Sequence, residues 1–400
     1  MANNNKHTGP NVPALRFPEF SGEWKTFQLS DLAAYSKERV KMEILSSDNY
    51  VSTENMQQDF AGIKDAISLP SSGTAVEFQV GDILISNIRP YLKKIWLSDR
   101  NGGCSTDVLA LRTKNEKVDS SFLYCCLAND DFVSYVMSGA KGVKMPRGDK
   151  QHILSYNLGV PSIQEQRRIA ELVSLLEKRI SAQTKIIEEL KTLRGALNES
   201  LYCCCESYQE LSFNDVGVSY SGLSGKSGND FGSGYPFIPY TNIFTNNIID
   251  EGQLEYVQVS EEESQNSVCF GDLLMTLSSE TPEEVGIGAV YLGHKSPLYL
   301  NSFSFGIHIT RTDLVYPPYL SWLVSTKSFR KFILPYAQGS TRYNLQKTDF
   351  MKAKYRFPTL GRQKAISVLL SGYSSKIENE ERVLNKYTAL KQGLIEQLFI

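Results

Sequence analysis

One apolar ladder, present twice, limits what this chain can fold into. It runs Ile169, Val173, Leu176, Ile180, Ile187, Leu190, Leu197 and Leu201, stepping by four and three except where Gln183 and Arg194 interrupt it. It returns 197 residues later as Ile366, Leu370, Tyr373, Ile377, Leu384, Tyr387, Leu394 and Leu398, with Glu380 and Lys391 at the matching interruptions. A heptad seam sustained this long reads as a coiled-coil helix. Two such helices in one chain are expected to pair. An antiparallel pairing would set the sequence before each helix at opposite ends of a rod. A helix of about 40 residues is roughly 60 Å long, one or two turns of DNA at roughly 34 Å per turn. Gln183 and Glu380, near the helix midpoints, could form a polar layer that fixes register.

The rest of the chain repeats with the ladder. Leu29 to Leu32 is answered by Phe213 to Val216. Gly81-Asp82-Ile83-Leu84-Ile85-Ser86, a turn feeding a buried strand, is answered by Gly271-Asp272-Leu273-Leu274-Met275-Thr276. Residues Ser121 to Met137 have helical spacing, and Pro317 to Leu334 answer them. Val160-Pro161 followed by Gln166-Arg167-Arg168-Ile169 is answered by Phe357-Pro358 followed by Gln363-Lys364-Ala365-Ile366. Offsets grow from 184 to 190 to 197, so the length variation lies before the helices. This is an internal duplication. The first helix is expected to start near Ser162, an N-cap with Glu165 three residues on. Residues 1–13 are Asn-rich and read as a disordered tail, while residues 33–75 give no clear pattern.

Four hundred residues suit two or three domains. A net charge of −2 excludes a globally basic nucleic-acid coat but not local basic patches. No stretch near the first residue resembles a signal peptide, and no apolar run reaches membrane-spanning length, so a cytoplasmic protein is expected. Seven cysteines then read as free thiols. Cys203-Cys204-Cys205 lacks the spacing of a metal site. Nor do His7, His152, His294 and His308 stand at metal-ligand spacing. No phosphate-binding Gly-x-x-x-x-Gly-Lys-[Ser/Thr] occurs. Val315-Tyr316-Pro317-Pro318-Tyr319 lacks the Asn or Asp with which amino-methyltransferases begin a similar motif. No catalytic, cofactor-binding or metal-binding residue is assigned.

Two repeated helices, two dissimilar preceding segments and the recurring Pro…x-Gln-[Arg/Lys]-x-Ile together resemble the specificity subunit of type I restriction-modification systems. The opening Leu15-Arg16-Phe17-Pro18-Glu19-Phe20 with Trp24, and Gly81 to Ser86, add to the resemblance, which covers about residues 14–400. It implies an α+β chain with internal pseudo-two-fold duplication. Two tandem target recognition domains, 14–161 and 207–358, would be separated by a pair of long helices, 162–206 and 359–400, forming an antiparallel coiled coil. It also implies a non-catalytic chain that binds double-stranded DNA and docks two modification subunits, with restriction subunits joining them. S-adenosylmethionine, ATP and Mg would belong to those partners. Exposed coil faces give the isolated chain a route to pair with itself. A type IIB-like recognition subunit and a protein-binding scaffold are the rival readings.

Within the first domain, positive charge gathers in Asn87 to Lys94 (Asn87, Arg89, Lys93, Lys94) and in Lys141 to Lys150 (Lys141, Lys144, Arg147, Lys150). Lysine and arginine supply phosphate contacts, and arginine or asparagine can read base edges. The positional counterpart in the second domain, from Gln338, offers Ser340, Thr341, Arg342, Tyr343 and Asn344, followed by Lys347. Domains this different should read different half-sites of an asymmetric, bipartite target.

Overall fold

The computed structural model describes residues 11–114, 116–205 and 207–399. The expected tail at 1–13 lies outside the described residues except for residues 11–13, and His7 lies outside them too. The chain is α+β and divides into two compact units. One runs up to Thr184 and resumes at Val383; the other is Lys185–Arg382.

In the first unit, Lys25–Gln28 pairs antiparallel with Asn157–Val160. Four antiparallel strands form the main sheet in the order Ala33–Tyr35, Val108–Thr113, Ile83–Ser86, Ile95–Leu97. The run Ile83 to Ser86 is buried throughout, as its apolar composition demands. The unreadable stretch supplies Arg39–Lys41 and Tyr50–Val51 to a second sheet with Thr74–Phe78 and Gly102–Cys104. Helices Ser120–Leu127 and Asp130–Ser138 lay Phe122, Leu123, Phe132 and Val136 into the core.

The second unit repeats this plan. Tyr208–Ser212 pairs with Lys354–Pro358. The main sheet again has four antiparallel strands, Gly217–Ser221, Ser304–Ile309, Leu273–Thr276 and Gly288–Val290, in the equivalent order. Helices Pro317–Leu323 and Lys327–Ile333 follow. Phe231–Ile238 forms a bulged strand between Glu255–Val257 and Tyr299–Leu300.

Both Gly-Asp turns fold alike. Gly81 and Gly271 sit at φ +87° and +88°, where a side chain would be strained. Asp82 accepts from the Gln79 N–H and Asp272 from the Cys269 N–H, both at 2.9 Å. The buried carboxylates differ in their side-chain partners. Asp82 holds the Arg112 guanidinium, while Asp272 meets His308 Nδ1 at 2.6 Å and accepts from the Tyr220 hydroxyl at 2.7 Å.

The long helices are Ile163–Cys203 and Leu360–Leu398. Ser162 Oγ accepts from the Glu165 N–H at 3.4 Å, closing the first turn. Inside the first unit the helix segments run antiparallel, with Lys391 bonded to Glu177 at 2.6 Å and Arg179 lying over the Tyr387 ring. The second unit has the same arrangement, with Lys191 paired to Glu381 at 2.7 Å and Arg194 donating to Ser374 at 2.9 Å. Two of the ladder's interruptions, Arg194 and Lys391, thus make cross-helix contacts. Ile169, Val173, Gln183, Ile187, Ile366, Leu370 and Ile377 are buried. Leu176, Ile180, Leu190, Tyr373, Glu380, Leu384 and Tyr387 are half-buried.

Each repeated glutamine brackets its helix to the domain before it. Gln166 accepts from the Asp119 N–H at 2.8 Å and donates to the carbonyls of Lys117 and Pro161 at 2.9 Å each. Gln363 accepts from the Tyr316 N–H at 2.8 Å and donates to Leu314 and Pro358 at 3.0 and 2.8 Å. Tyr316 therefore begins a helix and sits in this bracket. The opening motif is structural as well. Arg16 forks onto Glu165 at 2.7 and 2.8 Å, and Trp24 Nε1 donates to the same carboxylate at 3.3 Å. Arg362 occupies the position equivalent to Glu165 in the second ladder, so a carboxylate in one repeat is a guanidinium in the other.

Candidate nucleic-acid interface

The two basic segments of the first unit, Asn87 to Lys94 and Lys141 to Lys150, meet in space. Past Ser86 the chain leaves the sheet, and Ile88 forms an antiparallel bridge with Arg147. Arg89 N–H donates to Pro146 O at 2.8 Å, and Gly148 N–H to Asn87 O at 3.2 Å. Lys141 and Arg147 exchange both backbone bonds at 2.9 Å, so 141–147 is a small closed hairpin docked on the strand end. Its base is tied by Asp149. That carboxylate accepts from Lys141 Nζ at 2.9 Å and from the Gln151 and His152 N–H groups that open helix Lys150–Leu154. These bonds, led by the lysine, pull the Asp149 carboxyl down to about 2.

Arg89 and Lys93 have φ +50° and +55° and flank the turn Pro90–Leu92. Left-handed backbone at two such side chains stores strain of about 1–3 kcal/mol each, a feature that gathers at binding sites. The turn is held by N–H groups of Asp59 and Phe60, which donate to the carbonyls of Leu92 and Lys93.

The expected DNA contacts separate by what they already hold. Lys93 is paired with Asp130 at 2.7 Å, Lys94 donates to Thr53 O at 2.7 Å, and Arg147 meets Asp107 at 3.2 Å. Lys150 lies over Tyr35. Arg89 and Lys144 are exposed, with no ion-pair or hydrogen-bond partner for their charged groups among the described residues. Asn87 keeps Oδ1 buried without a hydrogen bond. Bidentate contact with adenine needs that oxygen as acceptor, so the side chain would have to swing outward.

The second unit builds the same crossing with different groups. Ser278–Ser279 pairs with Tyr343–Leu345, which pairs back onto Ala337–Gln338. Ser278 opposite Asn344 is the counterpart of Ile88 opposite Arg147. Arg342 lies 5.9 Å above the exposed Phe303 ring. Lys347 lies 5.2 Å above Phe305, and burial pulls its ammonium below the usual lysine value. Ser340, Thr341 and Asn344 are exposed, and Tyr343 is half-buried. Arg330, basic in sequence, is spent on the carbonyls of Glu283, Val285 and Gly286. Sequence reasoning missed Phe303, whose only sign was an apolar residue between two strands.

Other candidates carry no chemistry of that kind. A cleft of about 350 Å³ in the first unit is lined by Phe60, Asp130, Asp131 and Glu396 together with Lys93 and Lys391, a mixed-charge lining in which Lys93 is already paired with Asp130. Among the described residues, no group of three His, Cys, Asp or Glu is placed to hold a metal ion. None of the helices searched is long and apolar enough to cross a membrane.

Two units share one frame, and each joins a strand end to a loop whose residues differ between the units. Residues 21–192 match the family model described as the type I restriction modification DNA specificity domain. The MjaVIII specificity subunit of Methanocaldococcus jannaschii is 21% identical, over 96% of this chain and 93% of its own length. The EcoDI specificity subunit of Escherichia coli is 28% identical over 25% of this chain and 22% of its own. Among solved structures, the S subunit from M. genitalium superposes with TM-score 0.57 at 15% identity, covering 97% of this chain and 99% of that one. A chain from a type I restriction-modification system reaches 0.60 at 16% identity, covering 94% and 97%. The chain is similar in sequence, and in fold, to the specificity subunits of type I restriction-modification systems.

Proposed function

We propose that this chain reads one asymmetric, bipartite sequence in double-stranded DNA, each unit contacting one half. The observation that carries this is the repeated crossing of strand end and loop. It keeps its backbone frame while the side chains change from Asn87, Arg89 and Lys144 to Ser340, Thr341, Arg342 and Asn344. A constant frame with exchanged donors is what two different half-sites require.

The long helices would dock the modification subunits, two of them if the duplication is matched by the partner. Leu175, Leu193, Val368 and Leu390 stay exposed on those helices, an apolar surface that favours covering. The same surface would let the isolated chain pair with itself. Methyl transfer from S-adenosylmethionine would be the modification subunits' chemistry. Restriction subunits with ATP and Mg would act within the same assembly. This chain supplies address and scaffold.

Comparing the methylated motifs of the host with and without this gene tests the reading. Loss of methylation at one split motif is expected, and it reports both half-sites and the spacer. An unchanged methylome together with salt-insensitive, sequence-blind DNA binding by the purified assembly would overturn it.

A further inference from the structure

The 141–147 hairpin ends in an apolar tip that the fold does not use. Val143 is 101% exposed and Met145 50% exposed. They are set among Lys141, Lys144 and Arg147. The tip is held firmly. The two Lys141–Arg147 backbone bonds close it, Pro146 is buried beneath it, and Gly142 turns at φ +97°. A pinned, fully exposed valine between cations adds nothing to a core and leaves its methyls in water. The equivalent loop of the second unit carries Ser340, Thr341 and Arg342 instead.

The major groove offers one apolar feature on a base edge, the C5 methyl of thymine. Beside Val143, Lys144, whose ammonium has no partner among the described residues, suits a neighbouring phosphate. We propose that Val143 is a specificity-determining residue whose methyls pack on a thymine methyl in the half-site read by the first unit. This rests on the DNA reading above. It gives the two half-sites different readout chemistry: apolar contact in one, hydroxyl and guanidinium contact in the other.

The test uses the full chain assembled with its modification subunits and duplexes bearing the split motif. Each thymine of the half-site, on either strand, is replaced in turn by deoxyuridine, which removes the methyl and keeps the pairing. One replacement should weaken binding about fourfold, the worth of one buried methyl group. V143A should lose a similar factor on the natural duplex and show no further loss on that deoxyuridine duplex. Its salt dependence should match the parent's, because no charge is removed. Additive losses, or V143A discriminating thymine from deoxyuridine as the parent does, would overturn the assignment. So would a half-site of G·C pairs alone. A rise in fluorescence from 2-aminopurine placed beside the site would instead mark a wedge between bases. Failure of the DNA reading looks different, since the unmodified assembly would then show no sequence-selective binding in which to measure a methyl.

Discussion

Replacing Gln166 with leucine tests whether the repeated glutamine is a structural bracket. Gln166 is 0% exposed and makes three hydrogen bonds to backbone groups of the domain before it. Leucine has a similar volume and no polar atom, so the Asp119 N–H and the Lys117 and Pro161 carbonyls lose their partner together. A buried group left unpaired costs about 1–3 kcal/mol. Lys117 O is partly reachable by water, and the leucine adds some apolar burial, so the net loss should be about 2–4 kcal/mol. For a unit of roughly 200 residues, each kcal/mol moves Tm by about 2–4 °C, giving a fall of about 4–16 °C. Calorimetry of the full chain reads it, and Gln363→Leu should do the same to the second unit. Gln166→Glu should be worse than leucine at pH 7, because a carboxylate faces two carbonyls with no proton to donate, and should recover in acid. A Tm within 1 °C of the parent for both leucine variants would refute the bracket.

Further tests address single contacts. Leu398→Ala should destabilise the first unit by about 2 kcal/mol, the low end for a buried leucine because a helix end can relax into the space; calorimetry again reads it. Arg89→Ala and Lys144→Ala should each lower the salt slope of DNA binding by about 0.9 and relax the preference for the first half-site. Arg342→Ala should instead relax one base position by roughly 1–3 kcal/mol if it reads a base. The Asp149 carboxyl, depressed to about 2, contributes stability above the ordinary aspartate value and loses it as pH falls through about 2. A carbon-detected NMR titration of that carboxyl should give a midpoint near 2, and Asp149→Asn should quicken amide exchange in the 141–147 hairpin.

The seam, the duplicated order and the Gly-Asp turns were readable because each is a local pattern with a fixed period or dihedral demand. What depended on distant partners was not. Gln166 is visible as a repeated residue, but its hydrogen-bond partners lie 47 and 49 residues back. The pairing of Ile88 with Arg147 left two basic segments where the structure has one surface. Sequence cannot tell that Lys94 is tied to a carbonyl while Lys144 stands free of such ties, because neutralisation depends on neighbours such as Thr53 that no spacing rule supplies. Residues 33–75 gave no signal because their strands are two to five residues long and are completed by Gly102–Cys104.

The first unit closes its core with the last turn of the second long helix. Leu398 packs among its buried residues, Phe399 lies against Phe122, and the Gln397 carbonyl accepts from the Leu15 N–H at 2.9 Å. During synthesis these residues emerge about 200 positions after Thr184, at about 5–20 residues per second a delay of roughly 10–40 s. The second unit is continuous in sequence and has no such wait. Of the two units, the one begun first is therefore completed last, and until then it shows an open apolar seat on the ribosome. Nonsense or frameshift changes between codons 388 and 398 should leave a chain whose second unit is sound and whose first unit is exposed to chaperones and proteases.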